Sequence, residues 1–279
     1  MQGHDTSPAD TGGTEPRLSE EKRATAELSA RACALELLRE TGIPFLVGGA
    51  YAYAHHTGLH RDTKDLDLFL RKPDADRALA VFEANGWRTE RDAHGWLHKA
   101  FWKEALVDLI YTSANGVAVV DDAWVEHATE AEVLGVRCRI APVEELLWNK
   151  AFVLERDRFD GTEVNHLLLA TGARLDWQRM LKRFDRYWEV LLAHLLLFRF
   201  AYPSDRKTIP DWVMWELLTK AFYSVRGGNW SGKLCRGRLL SELGYRVDVD
   251  EKGYEDGRAW DEQERTREAP PPITVPPKH

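Results

Sequence analysis

The sequence predicts a two-part α/β (α+β) protein, a mixed β-sheet domain followed by a helical domain, on three observations. Short apolar runs with period-two alternation recur between residues 45 and 140, parted by glycine and turn residues. Few stretches in that region are long enough for helices. After Pro142 the apolar residues switch to helical spacing and keep it through Tyr223.

Residues 1–18, rich in Gly, Thr, Asp and Pro, read as a disordered lead. From Ser19 a helix is predicted, with Leu28, Ala32, Leu35 and Leu38 at helical spacing and Gly42 and Pro44 as its stop. Phe45-Leu46-Val47 is a short buried strand, broken by Gly48-Gly49. Ala50–His56 is a helix that turns at Gly58. Asp65–Leu70 alternates as a strand; Pro73 and Asp74 open a helix that Gly86 ends. Trp87–Glu90, Trp96–Trp102, Ala105–Tyr111 and Val136–Ile140 complete the predicted strands. Val143–Leu154, Thr162–Ala170, Trp177–Phe200 and Trp212–Tyr223 are the predicted helices of the second part. The sheet domain therefore spans 19–142 and the helical domain 143–243. Residues 244–279, charged and then rich in proline at Pro270-Pro271-Pro272 and Pro276-Pro277, read as a disordered tail.

The 279 residues, 44% hydrophobic, can bury a sizeable core. Most of the net charge of -7 lies at the two ends, so the body is close to neutral. A near-neutral body disfavours long nucleic acid, which needs several phosphate contacts. Cys33, Cys138 and Cys235 show no C-x-x-C spacing, and Cys33 and Cys138 sit in apolar-patterned segments as reduced cysteines do. No charged-then-apolar signal opens the chain. The most apolar run, Val190–Phe198, contains His194 and is too short to span a bilayer. The expected setting is the cytoplasm, with no membrane partner.

The chemistry concentrates in Val47-Gly48-Gly49-Ala50 and Arg61-Asp62-Thr63-Lys64-Asp65-Leu66-Asp67-Leu68. On a strand Asp65, Asp67 and Phe69 share one face, and Leu66, Leu68 and Leu70 face the core. Two carboxylates roughly 6–7 Å apart along a strand can hold a pair of metal ions about 3.5–4 Å apart. A D-x-D alone is weak: with 45 acids in 279 residues, chance supplies about seven acid pairs at that spacing. Two additions raise its weight. Gly-Gly between a buried strand and a helix lets phosphate oxygens approach N–H groups at a helix N-terminus. Leu106-Val107-Asp108-Leu109-Ile110 puts a carboxylate in an apolar strand, where it needs a base or a metal as partner.

In that order the residues resemble the nucleotidyltransferase superfamily related to DNA polymerase beta. Its pattern is an apolar residue, Gly-Gly or Gly-Ser, then D-x-D, then a third acid on a later strand. The R-x-T-x-D-x-D version, here Arg61, Thr63, Asp65 and Asp67, is similar to a small bacterial branch that includes toxin–antitoxin-associated enzymes. The resemblance covers roughly residues 43–170. It implies a nucleotidyltransferase that moves a nucleoside monophosphate from an NTP such as ATP to a hydroxyl acceptor, releasing pyrophosphate. Asp65, Asp67 and Asp108 are then the catalytic carboxylates and hold two Mg²⁺ (or Mn²⁺) ions. Gly48, Gly49, Arg61, Thr63 and Lys150 are the implied nucleotide-binding residues. Whether Asp108 also acts as a general base stays open, as does the acceptor: an RNA end, a protein hydroxyl or a small molecule such as an antibiotic. A partner of toxin–antitoxin type is a further implication. No serine stands at Gly49 or Ala50, which removes a hydroxyl contact to phosphate. That departure motivates the alternative of a catalytically inactive nucleotide-binding or antitoxin-like protein of the same fold.

Other signals yield to plainer readings. His55 and His56 diverge by about 100° on a helix, so a zinc site with His60 is not expected. Ser231-Gly232-Lys233 lacks the upstream spacing of a phosphate loop. Glu155-Arg156-Asp157-Arg158 and Asp160 read as a solvated, salt-bridged face. Trp177, Trp188, Trp212 and Trp215 read as helix core.

Overall fold

Seven strands form one mixed sheet in the first part of the chain. The structure is a computed structural model and describes residues 20–93, 95–225 and 232–259; the predicted lead over 1–18 and Ser231 lie outside the described residues. In chain order the elements are α1 (Glu20–Glu40), β1 (Leu46–Val47), α2 (Gly49–Thr57), β2 (Asp65–Phe69) and α3 (Lys72–Ala84). Next come β3 (Arg88–Arg91), β4 (Leu97–Trp102), β5 (Ala105–Ile110), α4 (Asp122–Glu126), β6 (Thr129–Val133) and β7 (Val136–Ile140). Their spatial order is β3-β4-β5-β2-β1-β7-β6. β2 runs parallel to β5 and antiparallel to β1, and β1 runs parallel to β7.

Alternation explains the layers. Leu66 and Leu68 of β2, Ala100 of β4 and Val107 and Leu109 of β5 are fully buried. They share a sheet face by the two-residue period. α1 packs against β5 and β7, and α3 against β3, β4 and β5, bringing Leu35 and Leu38 of α1 and Leu79 and Phe82 of α3 into the same core. The opposite residues of β2, Asp65 and Asp67, remain partly accessible.

Two elements between residues 111 and 135 were invisible to the apolar pattern. α4 is a five-residue turn of helix capped by the Asp121 carboxylate, which accepts from the Ala123 N–H at 3.1 Å. β6 is an edge strand whose Glu130 and Glu132 face Arg139 and Arg137 of β7. Its hairpin turns at Leu134 (φ 53°) and Gly135 (φ 80°), the backbone of a tight two-residue turn without the usual Asn-Gly signal.

The helical part contains α5 (Val143–Lys150), α6 (Gly161–Thr171), α7 (Trp177–Phe184), α8 (Trp188–Ala201) and α9 (Asp211–Ser224). The predicted single helix Trp177–Phe200 is interrupted at Asp185, whose φ of 35° breaks the helical backbone. The break lets Phe184 stack on Phe152 at 6.0 Å while Tyr187 meets the same ring edge-on at 5.3 Å. α5 packs on α6 and α7, α6 on α8, and α2 on α6. Under this bundle Glu145, fully buried, pairs with Arg179 at 2.8 Å and Arg183 at 3.1 Å. Trp177 is core as expected, but Trp212 and Trp215 are exposed.

The tail requires a correction. Residues 244–259, read as disordered, follow β8 (Leu234–Cys235) with α10 (Arg246–Asp250) and β9 (Glu255–Asp256), which pairs in parallel with β8. Charge orders this segment instead of solvating it: Asp256 binds Arg238 at 3.0 Å and Arg258 at 2.6 Å. Residues 260–279 lie outside the described residues. Cys33 is exposed rather than packed, whereas Cys138 is buried, which pushes its thiol up to about 11. No described helix is long and apolar enough to cross a membrane.

Candidate active site

Parallel pairing of β2 with β5 places Asp67 directly beside Asp108 and Asp65 beside Leu106. One carboxylate oxygen from each of Asp65, Asp67 and Asp108 lies within 4.8 Å of the others. Among the described residues this is the one group of three or more acids, histidines or cysteines so arranged. The Thr63 hydroxyl, two residues upstream, donates to Asp65 Oδ1 at 2.7 Å and orients it.

The glycines explain how Asp67 is accommodated. Gly48 ends β1, donates its N–H to the Asp67 carbonyl at 2.8 Å, and precedes α2 without a side-chain cap. A Cβ there would meet the Phe69 ring at 2.4 Å. Gly49 has φ 50°, and a Cβ on it would lie 1.7 Å from Asp67 Oδ2. Only glycine tolerates both that backbone and that approach. The uncapped N-terminus of α2, with its N–H groups and positive dipole end, therefore abuts the Asp67 carboxylate.

Electrostatically the cluster is short of cations. Burial, with the neighbouring charges of Asp65 and Asp108, pushes Asp67 up to about 7, and Lys150 and Arg158 only partly oppose this. Burial also raises Asp108, countered by the Lys99 ammonium, which donates to its Oδ1 at 2.9 Å. Desolvated acids crowded in this way favour a divalent cation, which oxygen donors suit.

A basic rim adjoins the acids. Lys150 of α5 is buried among acids, bonding Asp160 at 3.1 Å and pairing with Glu163 of α6. Its burial lowers its pKa, and Asp160 opposes the shift. Burial disfavours the Arg158 charge, yet Asp160, Asp67 and Asp65 more than offset it and hold its pKa above the ordinary value. Arg61 pairs with Glu163 and lies 5.7 Å from the Tyr53 ring.

The structure thus brings Asp65, Asp67, Asp108 and Gly49 together, with the charge of Lys150 acting on Asp67. Gly48 stands one residue back against Phe69. Thr63 uses its hydroxyl on Asp65, and Arg61 is tied to Glu163 on the rim. Lys99 and Glu163 escaped the sequence reading, and Arg158 and Asp160 entered it only as part of a solvated, salt-bridged face. Asp160 is buried, not part of a solvated face, because Lys150 and Arg158 converge on it. The apolar residues around Lys150 on α5 were its available signal. Lys99 had none, since cross-strand register is unwritten in local sequence. His56 spends its Nε2 on the Ala141 carbonyl at 2.9 Å.

The match that decides the family covers residues 17–201, more than half of the chain, and belongs to the family described as uncharacterised nucleotidyltransferase. This chain is a member of that family. It is therefore a nucleotidyltransferase, an enzyme of nucleoside monophosphate transfer. No curated protein matches it in sequence. Among solved structures it is similar to the antibiotic-resistance factor ANT(2'')-Ia at 18% identity and a TM-score of 0.43, over 61% of this chain and 97% of that one. It is similar to the lincomycin-bound lincosamide antibiotic adenylyltransferase LnuA at 14% identity and 0.37, over 55% and 99%. JHP933 from Helicobacter pylori follows at 15% identity and 0.38, over 76% and 100%.

Proposed function

We propose that this nucleotidyltransferase moves a nucleoside monophosphate from an NTP to a hydroxyl acceptor, releases pyrophosphate, and depends on Mg²⁺ or Mn²⁺ held by Asp65, Asp67 and Asp108. The observation that carries this reading is the convergence of three carboxylates within 4.8 Å, against a glycine-started helix. Bound divalent ions would supply charge neutralisation for the triphosphate and a lowered pKa for the acceptor hydroxyl. The chain's own groups do the rest. Thr63 holds Asp65 in place, the α2 N–H groups at Gly49 receive phosphate oxygens, and Lys150 and Arg158 offset phosphate charge. Arg61 serves the same end from the exposed rim. α5, which carries Lys150, and α6, which carries Glu163, form the second wall of the cleft, shielding the site from water and strengthening these charges. The two parts of the chain, 19–142 and 143–243, are proposed to meet at this cleft.

The test is incubation with labelled nucleoside triphosphates, Mg²⁺ or Mn²⁺ and a pool of small-molecule, protein and RNA acceptors. Wild type should label an acceptor and release pyrophosphate; Asp67→Asn should do neither. An Asp67→Asn variant that labels as well as wild type would overturn the assignment. A protein that binds nucleotide yet never releases pyrophosphate would overturn the transfer chemistry and leave a binding protein of the same fold.

A further inference from the structure

A row of side chains crosses the sheet through the site. Glu90 of β3 pairs with Lys99 of β4, Lys99 with Asp108 of β5, and Asp108 with Asp67 of β2. Directly opposed residues share a face, so Lys99, Asp108 and Asp67 stand side by side. The three acids are not equally provided for. Asp108 is 7% exposed, and the Lys99 ammonium occupies its Oδ1 at 2.9 Å. Asp65 receives a neutral hydroxyl from Thr63. The cations that act on Asp67, Lys150 and Arg158, are themselves bonded to Asp160. Among the described residues, one end of the cluster therefore carries a resident cation in direct contact, and the other end does not.

We propose that Lys99 divides the cluster into two unequal cation positions. The first, between Asp65 and Asp67, takes a divalent ion from solution. The second, at Asp108, is kept weak by Lys99 until the triphosphate brings its own negative oxygens. This rests on the metal-binding reading of the three carboxylates. The physical reasons are two. The ammonium takes one oxygen of Asp108 and repels a dication placed on the other. It also holds the carboxylate in one rotamer, so Lys99 is a positioning residue rather than a group that touches the reacting atoms. A nucleotide adds several negative charges beside Asp108, which offsets the ammonium and makes the second position favourable. Metal loading at that position is thereby coupled to the presence of substrate.

An ion pair that served only to join β4 to β5 would leave metal binding unchanged when neutralised. The experiment uses the full chain and titrates Mn²⁺ by electron paramagnetic resonance of the free ion, with and without a non-hydrolysable triphosphate. Wild type should bind a single Mn²⁺ tightly without nucleotide and a second only with it. Lys99→Met should bind the second ion without nucleotide at least about tenfold more tightly than wild type does, as removal of an adjacent unit charge requires. Lys99→Arg should behave as wild type. Lys99→Gln, a second neutral variant, covers the case in which Lys99→Met fails to fold, with circular dichroism as the check. Neutral variants that leave both affinities unchanged overturn the role of Lys99 while the metal site stands. A wild type that binds no Mn²⁺, with Asp67→Asn indistinguishable from it, overturns the metal reading itself.

Discussion

Replacing the glycines at the two ends of α2 separates a backbone cost from a site cost. Gly49 and Gly58 both lie at positive φ, 50° and 72°. An alanine at either pays about 1–2 kcal/mol for left-handed backbone. At Gly58 the new Cβ meets nothing within 4 Å, so the backbone term is all. At Gly49 it would lie 1.7 Å from Asp67 Oδ2, 2.6 Å from its Cγ and 2.9 Å from its Cβ. Turning the Asp67 side chain relieves the first two distances but not the third, so α2 and β2 must also separate. Overpacking of that kind adds about 1–3 kcal/mol. Gly49→Ala should therefore cost about 2–5 kcal/mol against about 1–2 for Gly58→Ala. For a chain of this length the two should differ by several degrees in Tm, at about 2–4 °C per kcal/mol. Thermal unfolding measures the stabilities, and Mn²⁺ titration of the same proteins reads the site. Gly49→Ala should lose Mn²⁺ affinity and nucleotide transfer, while Gly58→Ala keeps both. Equal destabilisation of the two variants with wild-type Mn²⁺ binding in Gly49→Ala would refute the reasoning.

The titration of Asp67 makes two further predictions. Its folded pKa of about 7 lies above the value in an unfolded chain, so the folded state holds the proton longer. The metal-free protein should then lose stability from this group as pH rises from about 4 to about 7, with no further loss above. Unfolding in the presence of a chelator should show that slope in wild type and a shallower one in Asp67→Asn; identical slopes would exclude it. A divalent ion must displace the same proton, so Mn²⁺ affinity should rise up to about tenfold per pH unit toward pH 7 and then level off. Calorimetry in buffers of different ionisation enthalpy should count the released proton, and none released at pH 6 would contradict the assignment. Away from the site, Glu145→Gln should destabilise the helical part by about 3 kcal/mol, the low end for a broken buried pair. The low end applies because Arg179 retains Glu144 and Arg183 retains Asp121; urea denaturation reads the change.

Local chemistry was legible without coordinates. The alternation in Asp65-Leu66-Asp67-Leu68 already separated a carboxylate face from a core face, because a strand's period of two is a property of the chain alone. Gly48-Gly49 marked a backbone that a side chain would obstruct, and Asp108 amid Leu106, Val107, Leu109 and Ile110 marked a buried charge in need of a partner. The same periodicities separated the sheet from the helices after Pro142. They failed where packing overrides local preference: at Asp185, where Phe152 draws Phe184 and Tyr187 to itself, and in residues 244–259, where ion pairs order a segment whose composition reads as solvated.

What only the tertiary structure decided is which charges meet. Strand order puts β5 beside β2, and register then sets Asp108 beside Asp67 and Lys99 beside Asp108. Neither follows from local pattern, since a strand's side-chain period is the same whichever neighbour it takes. The packing of α5 on α6 likewise turned Lys150, Asp160 and Glu163 from separate helix and loop charges into one paired group at the rim of the acids, with the exposed Arg158 closing on Asp160 from outside. Sequence determined the kinds of group this chain could offer a nucleotide. Long-range pairing, whose energy depends on distances that no local window contains, decided their arrangement.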